Sequence, residues 1–149
     1  MGRMIIAVFV IMAAVPVLAG EDVTYERDIK GIIVKQCLFC HGSDSPTMEE
    51  FKKDEAGYKK KLKGPRFDTY ANLMVVVKGS DAGALMRRLD DGKNTKDGKP
   101  GNMFANLGST DAERSANLLV FKKWVDNWTL KKKKELGKGE LEAIKAPEK

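Results

Sequence analysis

Histidine occurs once in the 149 residues and cysteine twice. A lone imidazole excludes any site that needs two histidines from the same chain. The three Cys and His side chains together fall short of the full tetrahedral set that a structural zinc takes. Aromatic residues are scarce, at 7%, and none of them interleaves with basic residues as a single-stranded nucleic-acid surface requires. Internal repeats and strand-like alternation are missing too. The net charge of +6 is not spread over the chain: residues 131–149 hold seven lysines against four glutamates, and residues 20–130 are left with a surplus of only two. That balance argues against nucleic acid as a partner of the body of the chain.

The apolar content has one conspicuous concentration. Arg3 is followed by an unbroken apolar run, Met4 to Ala19, with small residues at Val17-Leu18-Ala19. This is the pattern of a secretory signal peptide over residues 1–19. As a helix the run would reach roughly 24 Å, short of the roughly 30 Å hydrocarbon core; an uncleaved anchor is the second reading. The mature protein then begins near Gly20, is not membrane-spanning, and is expected in the periplasm.

The remainder reads as all-α. Thr24 can cap a first helix over about 25–36, with Tyr25, Ile29, Ile32 and Ile33 on one face. Thr47 to Glu50 has the form of a capping box and opens a charged helix over about 48–62. Further helices are predicted from Asp68 or Thr69 to Gly79, over Asp81–Asp90, and from Thr110 or Asp111 to about 130. In the last, Leu118, Phe121, Trp124, Val125 and Trp128 mark the buried side, and both tryptophans are expected to pack on the first helix. Between these helices lies a glycine-rich stretch without periodicity, residues 91–111. A loop of that length inside a compact domain is usually functional or disordered. Residues 131–149 form a lysine-rich extension expected to be exposed and frayed, leaving 20–130 as the folded domain.

Both cysteines and the histidine stand within five positions, Cys37-Leu-Phe-Cys40-His41. Cys-x-x-Cys-His is the attachment signature of c-type haem. Two thiols one helical turn apart match the two vinyl groups of a porphyrin, and the next residue then falls under the iron as its proximal ligand. A Cys37–Cys40 disulfide would leave the adjacent histidine a coincidence, and a thioredoxin-like pair lacks its βαβ context. The single histidine rules out an intrachain bis-His haem. Four methionines follow the signal segment, and Met48, Met74 and Met86 sit at helical spacing among apolar neighbours, as core residues do. Met103 lies instead in the glycine-rich loop, 62 residues after His41.

On "CLFCH", "LKGPRF" (62–67), "GNMFANLG" (101–108) and "FKKWVDNW" (121–128), the chain resembles class I bacterial monohaem c-type cytochromes over about Tyr25–Trp128. The resemblance implies a cytochrome c-like helical domain wrapped around one covalently attached haem c. It implies Cys37 and Cys40 as the thioether residues, and His41 and Met103 as the metal ligands. It also implies that Pro65 supplies the carbonyl that accepts the other His41 ring N–H. Met86, a lysine, or an open site are the alternatives for the sixth position. Tyr70, Asn72, Arg66 and Arg87 are candidates to meet haem propionates, as is one of the two tryptophan indoles. The chain departs from the pattern in a charged insert over about 43–61 and in the lysine-rich extension. The expected function is single-electron transfer between redox partner proteins by transient docking, with no catalysed bond-making reaction. The alternative is a haem-based sensor or small haem enzyme with an open or labile sixth site.

Overall fold

Four threonines set helix starts. Thr24, Thr47, Thr69 and Thr110 each adopt non-helical backbone angles and accept, through the hydroxyl, an N–H of the turn that follows. The computed structural model describes residues 22–149, so the predicted signal peptide lies outside the described residues. Among them the protein is helical and has no strand; a single antiparallel bridge joins Asp126 and Ile144.

A π-helical turn, Tyr25–Ile29, runs straight into α1 (Lys30–Gln36), and after a one-residue turn at Cys37 comes the short α2 (Leu38–His41). The predicted 48–62 helix is two helices, α3 (Met48–Lys53) and α4 (Glu55–Lys60). The break falls at Asp54, which leaves helical geometry to cap α4 by accepting the Gly57 N–H at 3.0 Å. A Cβ at Gly57 would lie 2.1 Å from the Asp54 carboxylate, so any larger residue would make that cap shift. Helices α5 (Tyr70–Val77) and α6 (Ala84–Leu89) follow, then a 3₁₀ turn (Phe104–Leu107) within the glycine-rich segment, then α7 (Asp111–Val125).

The core forms where the first and last helices meet. Ile29 and Ile33 are buried with Leu118, Phe121, Trp124 and Val125, and Leu73, Val76, Val77, Met86 and Leu107 close the other side. Tyr25 stands between Tyr70 and Trp124, with ring centroids 5.3 and 6.3 Å away.

Two expectations fail. Helix α7 stops at Val125, since Asp126 takes a positive φ (63°) and turns the chain, with the Asn127 N–H donating to Val125 O at 2.8 Å. Trp128 therefore lies beyond the end of the helix, where it packs against the core and donates its Nε1–H to Asp90. The C-terminal extension, with its 3₁₀ turn (Lys133–Glu135) and α8 (Lys138–Glu142), is ordered and docked rather than frayed. Ile144 and Ala146 are buried. Residues 146–148 hydrogen-bond to the π-helical turn and to α7: Tyr25 N–H donates to the Pro147 carbonyl at 2.9 Å, Glu26 N–H to that of Glu148 at 3.0 Å, and Ala146 N–H to that of Trp124 at 2.9 Å. Tyr70 Oη and Trp124 Nε1 donate to the carbonyls of Ala146 and Pro147 at 2.9 and 2.8 Å. A residue count by charge hides this, because the segment is held mainly through its backbone.

Candidate haem-attachment site

Cys37 ends α1, its N–H donating to Ile33 O, and its own carbonyl accepts from Cys40 at 3.2 Å and His41 at 3.0 Å. The pentapeptide is thus one continued helical turn with both sulfurs on it. Both cysteines are free thiols, half-buried. Burial, together with the adjacent Cys40 thiol, pushes the Cys37 thiol up to about 12. Phe39, between them, is 82% exposed, as a spacer residue can be.

The His41 ring is held on two sides. Its Nδ1 lies 2.5 Å from the Pro65 carbonyl oxygen, which can only accept, so Nδ1 carries the proton and Nε2 keeps its lone pair. Phe67 stacks on the ring at 4.3 Å between centroids and 7° between planes. Burial lowers the His41 pKa, against the opposing pull of the Pro65 carbonyl, and favours the neutral, ligating form.

Backbone bonds on either side bring Pro65 to this place. Gly64 N–H donates to Cys40 O at 2.8 Å, and Phe67 N–H to His41 O at 2.8 Å. Gly64 presses so closely on the imidazole that a Cβ would sit 2.2 Å from His41 Cε1. The charged insert is pinned at its base: Arg66 N–H donates to Pro46 O, Arg66 Nε to Ser45 O, and the buried Ser45 hydroxyl to Cys40 O. Its length therefore does not disturb the return of the chain to His41.

Met103 is half-buried against the core, just before the 3₁₀ turn. Its N–H donates to Arg88 O at 2.9 Å, and the Asn106 amide points at its sulfur at 3.6 Å. Met86 is fully buried and its sulfur accepts the Thr129 N–H at 3.2 Å, a core role. Met48 and Met74 pack against the same core. The residues considered for propionates are engaged elsewhere: Arg66 as above, Tyr70 with Ala146, Asn72 with Asp68, and Arg87 with the Lys131 carbonyl. Trp124 Nε1 donates to Pro147 O and Trp128 Nε1 to Asp90 Oδ2.

Three polar or aromatic partners were not anticipated. Phe67 and Ser45 carry no sequence signal beyond their nearness to the motif and the Gly-Pro pair. Asp90 had one, since an Asp-Asp-Gly run at a helix end favours a side chain folding back onto the following N–H. Among the described residues no three His, Cys, Asp or Glu groups converge as a metal cluster, and no helix is long and apolar enough to cross a membrane.

Two thiols on one turn and a neutral imidazole with Nε2 free and Nδ1 fixed are donors that fit an iron porphyrin. Together with the strand-free helical fold, they define a monohaem c-type cytochrome. A family model described as PccH cytochrome c matches residues 24–147, and the chain belongs to this family. Among solved structures, the monohaem cytochrome PccH from Geobacter sulfurreducens is 48% identical, covering 85% of this chain and 99% of that one with a TM-score of 0.80. No curated protein matches the chain. Family membership carries a single iron-containing haem and an electron-carrier role.

Proposed function

We propose that the protein is an exported, periplasmic carrier of single electrons, in which Cys37 and Cys40 would hold one haem c covalently and His41 and Met103 would bind its iron. Bound haem supplies a one-electron iron couple; everything else falls to the chain. The observation that carries the reading is the fixed orientation of His41, between the Pro65 carbonyl at 2.5 Å and the flat face of Phe67. An imidazole locked at Nδ1 presents Nε2 in one direction, as a proximal ligand needs.

The neutral thioether of Met103 favours ferrous iron and raises the potential relative to a second imidazole. With both His41 and Met103 binding the iron, no position would be left for an exogenous ligand, which would suit a carrier and disfavour a sensor or peroxidase. Redox partners meet such a carrier through small, short-lived interfaces. The exposed lysines 132–134 provide positive charge that steers an acidic partner at low salt.

The test is spectroscopic. Exported holoprotein should retain its colour through acid–acetone extraction, give a pyridine haemochrome of the two-thioether type, and show a ferric sulfur-to-iron charge-transfer band. The native ferrous protein should not take up carbon monoxide. Rapid carbon monoxide binding and high-spin ferric iron would favour the sensor or enzyme instead, and extractable colour would remove covalent attachment.

A further inference from the structure

Among the described residues, Asp90 is the one charged side chain fully withdrawn from solvent. It ends α6, and its carboxylate takes N–H donors from three places: Gly92 N at 2.9 Å on Oδ1, and Asn94 Nδ2 at 3.0 Å and Trp128 Nε1 at 2.9 Å on Oδ2. Its carbonyl accepts the Gly101 N–H at 2.8 Å, and the Arg88 carbonyl accepts that of Met103 at 2.9 Å. The segment 91–102 therefore leaves Asp90 and comes back to it just before Met103. The return is tight, since a Cβ on Gly101 would lie 2.3 Å from Arg87 O and 2.4 Å from Arg88 O.

A buried carboxylate is costly unless donors replace its water. Here burial pushes the Asp90 pKa up, but Asn94, Trp128, the Gly92 N–H and the charge of Lys122 outweigh it and hold the group ionised. The loop it gathers is rich in glycine and lysine, and Lys93, Lys96 and Lys99 are exposed. Such a segment buries little apolar surface of its own, so its conformational freedom competes with any fixed placement of Met103.

We propose that Asp90 is the positioning residue for Met103: by clamping the 91–102 loop to α6 and to Trp128, it holds the thioether where a sixth ligand must stand. This rests on reading Met103 as that ligand. Trp128 is the second half of the clamp, which accounts for its place beyond the end of α7.

The experiment compares wild-type holoprotein with Asp90→Asn and Trp128→Phe. The ferric sulfur-to-iron band and the far-ultraviolet circular dichroism are followed along one thermal ramp. Asparagine keeps the volume but cannot accept at both positions, and hydrogen bonds to a charged group of this kind set equilibria by about tenfold or more. In Asp90→Asn the band should bleach well below the temperature at which helicity is lost, with a Met-off population about tenfold above wild type. Trp128→Phe should shift the band the same way by less, and it carries the comparison if Asp90→Asn does not fold. Band and helicity midpoints that fall together, or a band that does not move, would leave Asp90 a general stabilising group and overturn the proposal. A wild-type holoprotein with no such band would instead remove Met103 as ligand, and the proposal with it.

Discussion

Gly64 and His41 are packed so closely that the hydrogen of glycine is the only substituent the contact admits: a Cβ would stand 2.2 Å from the imidazole Cε1. The ring cannot yield, because the Pro65 carbonyl holds Nδ1 and Phe67 covers one face.

Gly64→Ala should therefore tilt His41 off its line toward the iron. The expected result is a lower haem-loaded yield, a weakened or high-spin proximal bond in the ferric spectrum, and a stability loss of about 1–3 kcal/mol from overpacking. Denaturant titration and electron paramagnetic resonance of the purified protein measure both. A native spectrum in the alanine variant would show that the imidazole is not held as described.

Met103→Ala should abolish the sulfur-to-iron band and lower the reduction potential by on the order of 0.1 V or more. Met86→Leu, which changes a core thioether already occupied by the Thr129 N–H, should leave both unchanged and cost less than about 1.5 kcal/mol. Potentiometric titration of the pair decides between the two sulfurs.

The C-terminal strap should contribute strongly to stability. Ile144→Ala removes a buried aliphatic side chain and should cost about 2–4 kcal/mol. Trp124→Phe removes the donor to Pro147 O, leaves that carbonyl with the Tyr25 N–H, empties part of a fully buried site, and should cost about 2–3 kcal/mol. Chemical denaturation read by circular dichroism gives both values, and a strap that merely rests on the surface would show neither.

Acid should weaken the fold through Asp90. Its folded pKa lies below the usual carboxylate value, so its contribution is present above the unfolded pKa and is lost as pH falls through the folded one. The stability gap between wild type and Asp90→Asn should be constant near neutrality and close progressively below about pH 4. Unfolding midpoints measured from pH 7 down to the acid limit test this, and a gap that widens on acidification would contradict the sign.

The parts of the molecule that could be read in advance are those written in short-range signals. Thr24, Thr47, Thr69 and Thr110 announce helix starts because the cap lies within three residues of its acceptor. The Cys37–His41 pentapeptide is local chemistry at a fixed spacing. The break at Asp54 was hidden because an aspartate within a charged run looks like helix surface until Gly57 lets it cap. Trp128 misled because the apolar period continues through Asp126, whereas the backbone does not. Asp90 and the strap depend on partners dozens of residues away, Trp128 for one and Tyr25 for the other. Main-chain carbonyls such as those of Ala146 and Pro147 have no residue-type signature at all.

The strap has a consequence for assembly order. Positions 147 and 148 close onto positions 25 and 26, a pairing of long sequence separation, and such contacts are slow to form. A chain delivered amino end first presents Cys37 and Cys40 long before its clasp arrives, so the thiols are reachable while the fold is still ajar. Where haem is attached as proposed, the clasp would close over thiols that have already met it.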